Sequence, residues 1–184
     1  LSLGEERVIV NGGTSVYGTG TDRLRQRSTA AHSTVEIDGQ NSSEVWGGFR
    51  VARRARVTEV KTKVQPEFEV VASHDGYRRL QGRNMHSRTF RLDEGRFEIA
   101  DAVSGPYRSA IARFHLAPGA SLDIEPDGRR GRIATRSGRS LRWTSLSPAA
   151  AEPSRWHPEF GLTTETQCLV VQLGDGTSRL TLEW

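Results

Sequence analysis

Hydrophobic side chains recur at every second position in several short segments of the chain. The clearest cases are Phe90 with Leu92, Phe97 with Ile99, Leu122 with Ile124, and Leu180 with Leu182 and Trp184. A period of two places alternate side chains on opposite faces of a strand, so that one face enters a core and the other meets water. No segment of ten or more residues has a convincing amphipathic helical pattern. The chain is therefore predicted to form short β-strands.

Turn signals of the Asp-Gly type separate these segments. They are Asp38-Gly39, Asp75-Gly76, Asp93-Glu94-Gly95, Asp127-Gly128 and Asp175-Gly176. Asp and Gly suit the positive φ angles that tight hairpins require. Alternating strands joined by such turns predict an all-β fold, a large antiparallel β-sandwich.

Two stretches depart from this regular pattern. Residues 49–71 are predicted to form two or three strands, broken near Gln65-Pro66, because proline cannot join a central ladder. Residues 145–161 are rich in Ala, Pro and Ser and are predicted to form a long loop across one end of the sandwich. Neither stretch has the character of an inter-domain linker, and no repeat of fixed period occurs. Residues 1–184 are therefore predicted to form a single β-sandwich domain.

Composition narrows the classes of protein. The 35% hydrophobic and 26% charged residues are typical of a folded globular chain. The single Cys168 excludes a disulfide framework and a zinc site built on several thiolates. No apolar run reaches the length of a membrane span, and no signal peptide is visible. Because Met85 is the only methionine, we expect the chain to be a fragment of a longer protein.

The positive charge is carried almost entirely by arginine. Of the 26 Lys and Arg residues, only Lys61 and Lys63 are lysines, so 24 are arginines, and the net charge is +4. Arginine pairs with carboxylate, sulfate or phosphate through two hydrogen bonds, which favours an anionic ligand. The alternative is that the arginines bind no ligand. Coding bias, with arginines on the solvated faces of strands, explains the same composition. No helix-turn-helix, zinc-finger or RNP-like motif is present, so we expect no nucleic-acid partner.

The N-terminal region concentrates the candidate chemistry. A glycine-dense loop over residues 11–20 follows a predicted buried strand, and Arg23, Arg25 and Arg27 come next. The glycine spacing matches neither a P-loop nor a GxGxxG motif. Arginines beside Tyr17 and a histidine could instead meet the carboxylate of a sugar.

Histidine and cysteine give weaker signals. His32, predicted to enter a strand, is either a core histidine bonded to a backbone carbonyl or a metal ligand. The chain contains no HxH or HExxH motif, so a metal would need ligands from elsewhere. Cys168 lies in a predicted buried strand, which favours an inert thiol. No GxSxG motif is present to support a serine nucleophile.

Several blocks resemble the heparinase II/III-like family of bacterial polysaccharide lyases. The most specific is residues 27–50, which includes Ala31-His32-Ser33-Thr34. The others are residues 10–14 with Tyr17-Gly18, residues 74–77 with 86–88, residues 114–119, and residues 157–161. The resemblance covers essentially the whole chain in order.

The resemblance implies both a fold and an activity. Enzymes of this family join an N-terminal incomplete (α/α) toroid to a C-terminal antiparallel β-sandwich, and this chain resembles the sandwich without the toroid. They cleave uronic-acid-containing polysaccharides, such as heparan sulfate or alginate, by β-elimination. That chemistry requires neutralisation of the uronate, removal of the C5 proton and protonation of the leaving O4. A periplasmic or secreted location is also implied.

The resemblance further implies which residues act. In the family, a catalytic Asn or His and a Tyr lie on the toroid, and a catalytic His lies in an HxH motif at the start of the sandwich, where this chain opens without it. A structural zinc is held by the second His of that motif, an Asp and a His. His32 matches the last ligand, and Asn11 stands at the aspartate position. We therefore expect zinc, if bound, only in the full-length enzyme.

Two further roles follow from the match. Tyr17 is predicted to be a catalytic residue facing the substrate cleft, and Arg23, Arg25 and Arg27 are predicted to contact uronate or sulfate. The chain is thus predicted to be the C-terminal domain of a lyase acting on an acidic polysaccharide, inactive without the toroid. The alternative is a non-catalytic carbohydrate-binding or structural β-sandwich module. A nucleic-acid binder is a third possibility, resting on the basic charge alone.

Overall fold

Two antiparallel β-sheets make up most of the chain in a computed structural model that describes residues 1–184. The strands are β1 Ser2–Leu3, β2 Glu6–Arg7, β3 Ile9–Val10, β4 Val35–Ile37, β5 Glu44–Trp46, β6 Arg50–Ala52, β7 Val57–Lys63, β8 Phe68–His74, β9 Met85–Asp93, β10 Arg96–Ser104, β11 Ala110–Leu116, β12 Ser121–Ile124, β13 Arg130–Ala134, β14 Ser140–Ser145, β15 Ala149–Trp156, β16 Thr164–Gln172 and β17 Thr177–Glu183. Helical structure is limited to α1 Thr21–Gln26 and a 3-10 turn, Thr29–Ala31. The predicted all-β antiparallel sandwich is confirmed.

The sheets differ in size. The large sheet has the order β12-β13-β14-β17-β10-β9-β8-β7. The small sheet runs β15-β16-β11, and both β3 and β4 pair with β11. Two short ribbons, β1-β2 and β5-β6, lie outside these sheets. Because β3 and β4 share one partner strand, the N-terminal region that joins them is held at one edge of the small sheet.

The core lies between the sheets. Ile99, Leu180 and Leu182 of the period-two pattern are buried in it, but Leu92 and Trp184 are 42% and 47% exposed, so the prediction is wrong for those two. Leu182 and Trp143 of the large sheet and Phe114 and Leu169 of the small sheet are fully buried and belong to one cluster of 20 buried hydrophobic residues. The indole N–H of Trp143 donates to the carbonyl of Asp123 at 3.2 Å, so its one polar group is satisfied. A buried donor without a partner would be costly, and this bond removes that cost.

Three of the Asp-Gly signals form the tight turns that the sequence predicts. Gly95 (φ 67°) closes the β9-β10 hairpin, and Gly128 (φ 68°) closes β12-β13. Asp38 (φ 53°) and Gly39 (φ 65°) reverse the chain after β4. These angles are open to Gly and tolerated by Asp.

The other two signals do not form tight hairpin turns, so that part of the prediction is wrong. Asp175-Gly176 connects β16 of the small sheet to β17 of the large sheet. Asp75-Gly76 opens the loop of residues 75–84 between β8 and β9. Gly76 is required by packing, because a Cβ there would lie 2.7 Å from the Cβ of Ala55. An Asp-Gly pair indicates a turn but does not indicate which strands the turn joins.

The two irregular stretches have different outcomes. Residues 49–71 contain β6, β7 and the start of β8, with the break at residues 64–67, as predicted. Residues 145–161 were predicted to be a loop, and this is wrong, because they contain the eight-residue β15. Strand β15 lies at the edge of the small sheet and pairs only with β16. An edge strand tolerates Pro153, since an edge position need not donate a ladder hydrogen bond.

Removing the hydroxyl of Tyr77 should destabilise the fold. This side chain is fully buried, and its hydroxyl donates to the carbonyl of Val35 at 2.7 Å, which joins the loop after β8 to β4. We expect Tyr77→Phe to lower the free energy of unfolding by about 1–2 kcal/mol, the cost of a lost buried hydrogen bond. Urea denaturation measures this, with Tyr17→Phe as the control because the exposed Tyr17 hydroxyl has no hydrogen-bond partner. Equal effects of both substitutions would contradict the assignment.

Candidate functional site

The glycine-dense loop after β3 is fixed by backbone contacts. The Gly12 N–H donates to the carbonyl of Ala31 at 2.9 Å, and a Cβ on Gly12 would lie 2.8 Å from that same oxygen. Gly13 has a φ of 73° and lies against the carbonyl of His157. Glycine is therefore required at both positions for the loop to fit between the 3-10 turn and the end of β15.

Ser33 connects this loop to both sheets. Its N–H donates to Oδ1 of Asn11 at 2.9 Å, and its hydroxyl donates to the carbonyl of Val10 at 2.7 Å. The same hydroxyl accepts the N–H of His115 at 3.0 Å, and its carbonyl accepts a hydrogen bond from Arg88 of the large sheet. The positions of Asn11 and the neighbouring His32 therefore depend on this serine.

Helix α1 separates the three predicted arginines. Arg23 and Arg27, four residues apart, lie on one side of the helix and donate to carbonyls of the β5-β6 ribbon: Arg23 to Gly48 at 3.1 Å, and Arg27 to Gly47 at 2.9 Å. Arg25 lies on another side, 3.7 Å from the carboxylate of Asp22. The structure thus brings Arg23 and Arg27 together and places Arg25 apart from them.

Tyr17 belongs to an exposed aromatic cluster. Its ring centroid lies 4.3 Å from that of Phe160 and 5.8 Å from that of Phe49, and the guanidinium of Arg23 lies 5.8 Å from the Tyr17 ring and 5.6 Å from the Phe49 ring. Tyr17 and Phe49 are each 67% exposed, and Phe160 is 53% exposed. Exposed rings beside a cation present both a stacking surface and a positive charge.

An open groove of about 550 Å³ lies beside this cluster. Four of the predicted site residues line it: Asn11, Arg23, Arg27 and His32. Arg54, from the segment after β6, also lines it. Burial, followed by the charges of Arg23 and Arg54, lowers the pKa of Arg27. These three cations are therefore close enough to repel one another, which favours the binding of an anion among them.

The groove residues do not fit a complete metal site. His32 is half-buried, burial lowers its pKa, and its imidazole is therefore neutral and able to bind a metal. Asn11 is a neutral amide whose oxygen already accepts the N–H of Ser33. No group of three His, Cys, Asp or Glu side chains in the chain could hold a metal ion. His32 and Asn11 alone give too few ligands for the four-coordinate sites typical of zinc.

A second cleft, of about 210 Å³, lies on the other side of the loop and contains Arg25 and His115. His115 Nε2 lies 3.0 Å from the carbonyl of Ala30, which identifies Nε2 as the protonated nitrogen, and Nδ1 lies 2.7 Å from the hydroxyl of Ser154. Burial lowers the pKa of His115 to about 4. Burial also raises the pKa of Cys168, which lines this cleft, to about 12, as expected of an inert thiol.

Two histidines and an aspartate form a largely buried, hydrogen-bonded relay. The N–H of Gly76 donates to Nδ1 of His74 at 3.2 Å, so His74 carries its proton on Nε2. That Nε2 donates to Nδ1 of His86 at 3.1 Å, and Nε2 of His86 donates to Asp101 at 2.7 Å. Burial lowers the pKa of His74 to about 4. Each imidazole in this chain of bonds is therefore held in one tautomer.

The relay ends in a buried ion pair. Asp101 accepts two hydrogen bonds from Arg88, at 2.7 and 2.9 Å. Burial alone would raise the pKa of Asp101, but the hydrogen bond from His86 and the charge of Arg88 outweigh it and lower that pKa to about 2. The carboxylate is thus ionised and paired at neutral pH.

The chain matches a known family. The family described as heparinase II/III-like, C-terminal, matches residues 1–181, and the chain belongs to it. A comparison with curated proteins gives no match.

Solved structures of lyases share the fold. Heparan sulfate lyase HepC from Pedobacter heparinus superposes with a TM-score of 0.73 at 17% identity, over 96% of this chain and 28% of that one. The heparinase III BT4657 gene product gives a TM-score of 0.73 at 17% identity, over 95% and 27%. The chain therefore spans little more than a quarter of the length of these proteins. No helix of the chain is both long and apolar enough to span a membrane.

Sequence reasoning did not single out several residues of the site. Arg54 belongs to the run Arg53-Arg54-Ala55-Arg56, whose charge density is a usable signal. Phe49 and Phe160 lie far from Tyr17 in sequence and join it only in the fold. The pairing of His86 with Asp101 arises from the register of β9 and β10, which the sequence does not specify.

Acid should weaken the fold through the two histidines with lowered pKa. Between about pH 6.5 and pH 4 these two histidines bind protons in the unfolded chain but not in the folded chain. The free energy of unfolding therefore decreases as the pH is lowered through this range. We expect a loss of roughly 2 kcal/mol from each histidine between pH 7 and about pH 4.5. Urea denaturation at the two pH values measures it.

A substitution isolates one of these contributions. His115→Gln should remove about 2 kcal/mol of the pH-dependent loss. Ser154→Ala is the matched control, because it removes the hydrogen-bond partner of His115 but keeps the titrating imidazole. Full pH dependence in His115→Gln would show that this histidine does not titrate as described.

Proposed function

We propose that this chain is the C-terminal β-sandwich of a lyase that cleaves uronic-acid-containing polysaccharides by β-elimination. The observation that carries the proposal is the groove beside Tyr17, where Arg23, Arg27 and Arg54 form an excess of positive charge next to exposed aromatic rings. Support comes from membership of the family and from the structural similarity to HepC, a heparan sulfate lyase. The groove would form one wall of the substrate cleft.

The groove can supply part of the chemistry. β-Elimination places negative charge on the uronate as the C5 proton leaves, and guanidinium groups nearby stabilise that charge. The Tyr17 hydroxyl has no hydrogen-bond partner in the structure and the residue is exposed, so the hydroxyl could transfer a proton to or from the sugar. Arg23 and Arg27 also hold the β5-β6 ribbon, so they combine a binding role with a structural one.

The remaining catalytic groups would come from outside this chain. By resemblance, a toroid domain supplies an Asn or His and a Tyr, and an HxH segment supplies a further histidine. Zinc in the full-length enzyme would take His32 and, less favourably, Asn11 as ligands, together with a histidine of that segment. Because these two residues do not complete a site, no catalytic step is assigned to a metal. Export to the periplasm or outside the cell belongs to the same proposal.

Tyr17→Phe tests the catalytic role in the full-length protein. We expect turnover of uronic-acid polysaccharide, followed by the ultraviolet absorbance of the unsaturated product, to fall at least about a hundredfold, as for loss of a general acid or base. Tyr107→Phe is the control, because the Tyr107 hydroxyl donates to the carbonyls of Leu173 and Gly174, away from the groove. Unchanged kinetics in Tyr17→Phe would remove this residue from the mechanism.

A non-catalytic carbohydrate-binding module is the alternative. The observation that favours it is that Arg23 and Arg27 are held by carbonyls, so the groove could bind sugar without supplying chemistry. The isolated chain should give no unsaturated product from heparan sulfate or alginate under either proposal. Product from the full-length protein supports the lyase, and binding without product supports the module. Robust product from the isolated chain would contradict both.

A further inference from the structure

Three exposed arginines next to the groove have no partner in the structure. Arg54, Arg56 and Arg78 make no side-chain hydrogen bond or ion pair and are exposed. Their neighbours differ, because Arg53 pairs with Glu44 at 2.6 Å and Arg79 donates to the carbonyls of Asn41, Ser42 and Gly76. The three unpaired guanidinium groups therefore retain all their donors for a ligand.

These arginines line a hollow that continues the groove. The hollow has a volume of about 670 Å³ and shares Val51, Arg54 and Ala55 with the groove beside Tyr17. Asp75 is the one carboxylate in its lining, and an Asp75 oxygen already accepts the backbone N–H of Arg56 at 2.8 Å. The positive charge of the hollow is thus largely uncompensated.

The frame that carries these arginines is rigid. Arg56 and Asp75 exchange two hydrogen bonds, because the Asp75 N–H also donates to the carbonyl of Arg56 at 3.1 Å. Gly76 packs on Ala55 so closely that no side chain would fit there. A fixed backbone reduces the entropy lost when a ligand binds, which favours a binding surface over a merely solvated one.

We propose that Arg54, Arg56 and Arg78 form a second anion subsite, which binds sulfate groups of a polysaccharide chain extending from the groove beside Tyr17. The proposal rests on the proposed function for the class of ligand. Three free arginines against one occupied carboxylate suit a densely charged ligand, and a sulfated sugar carries more anionic groups per residue than a simple polyuronate. Arginine forks pair with sulfate through two hydrogen bonds.

A triple variant tests this subsite in the isolated chain. We expect Arg54→Ser, Arg56→Ser and Arg78→Ser together to weaken binding of a size-defined heparin oligosaccharide about tenfold or more, measured by calorimetry at fixed ionic strength, since exposed ion pairs each contribute modestly. The control combines Arg108→Ser, Arg132→Ser and Arg136→Ser, three exposed arginines outside the groove and without ion pairs, which change the net charge equally. The thermal unfolding midpoint of each variant confirms that it is folded.

Each outcome has a defined meaning. A larger loss of heparin affinity in the Arg54, Arg56 and Arg78 variant than in the control variant supports the subsite. Equal losses in the two variants, or no loss in either, overturn it. Binding of desulfated heparin or alginate as tightly as heparin would overturn the preference for sulfate, and equal binding of DNA would overturn the assignment to polysaccharide. This experiment measures binding and not turnover. The proposed subsite can therefore be overturned while the full-length protein still cleaves polysaccharide, or supported while cleavage is absent.

Discussion

The buried pair of Asp101 and Arg88 is the interaction on which the arrangement of the site depends. Asp101 is only 2% exposed, and an unpaired carboxylate there would be too costly to bury. Arg88 pairs with it and also reaches the carbonyl of Ser33, and His86 ties it to His74. One ionised group in the large sheet thus fixes both the segment that carries His32 and the start of the loop after β8.

The groove is assembled from segments that are distant in sequence. Helix α1 and the residue after it contribute Arg23 and Arg27, and the segment after β6 contributes Arg54. The loop after β8 contributes Arg78 to the hollow that continues the groove. The β5-β6 ribbon connects these segments. Arg23 and Arg27 donate hydrogen bonds to carbonyls of the ribbon, and the segment that follows the ribbon is bound to Asp75. The same contacts that order the ribbon therefore place cations without a carboxylate partner along one continuous surface.

Local patterns predicted the fold better than the site. Alternation such as that of Leu180 with Leu182 depends on neighbours in sequence, and it correctly predicted strands and an all-β class. Strand β15 was missed because Pro153 and small residues suit an edge strand as well as a loop. The separation of Arg25 from Arg27 required knowledge of a six-residue helix, and the joining of Tyr17 with Phe160 required the tertiary fold. Family resemblance supplied Tyr17, Asn11 and His32, and the structure places all three in or beside the groove.

We infer that one surface, from Tyr17 to Arg78, binds an anionic polysaccharide. Titration of the isotopically labelled chain with a heparin oligosaccharide, followed by NMR amide shifts, tests it most directly. We expect shifts to concentrate on α1, the β5-β6 ribbon and residues 54–56 and 76–79, and to leave β12, β13 and β14 at the far end of the large sheet unchanged. Shifts centred on those far strands, or spread evenly over exposed arginines, would contradict it.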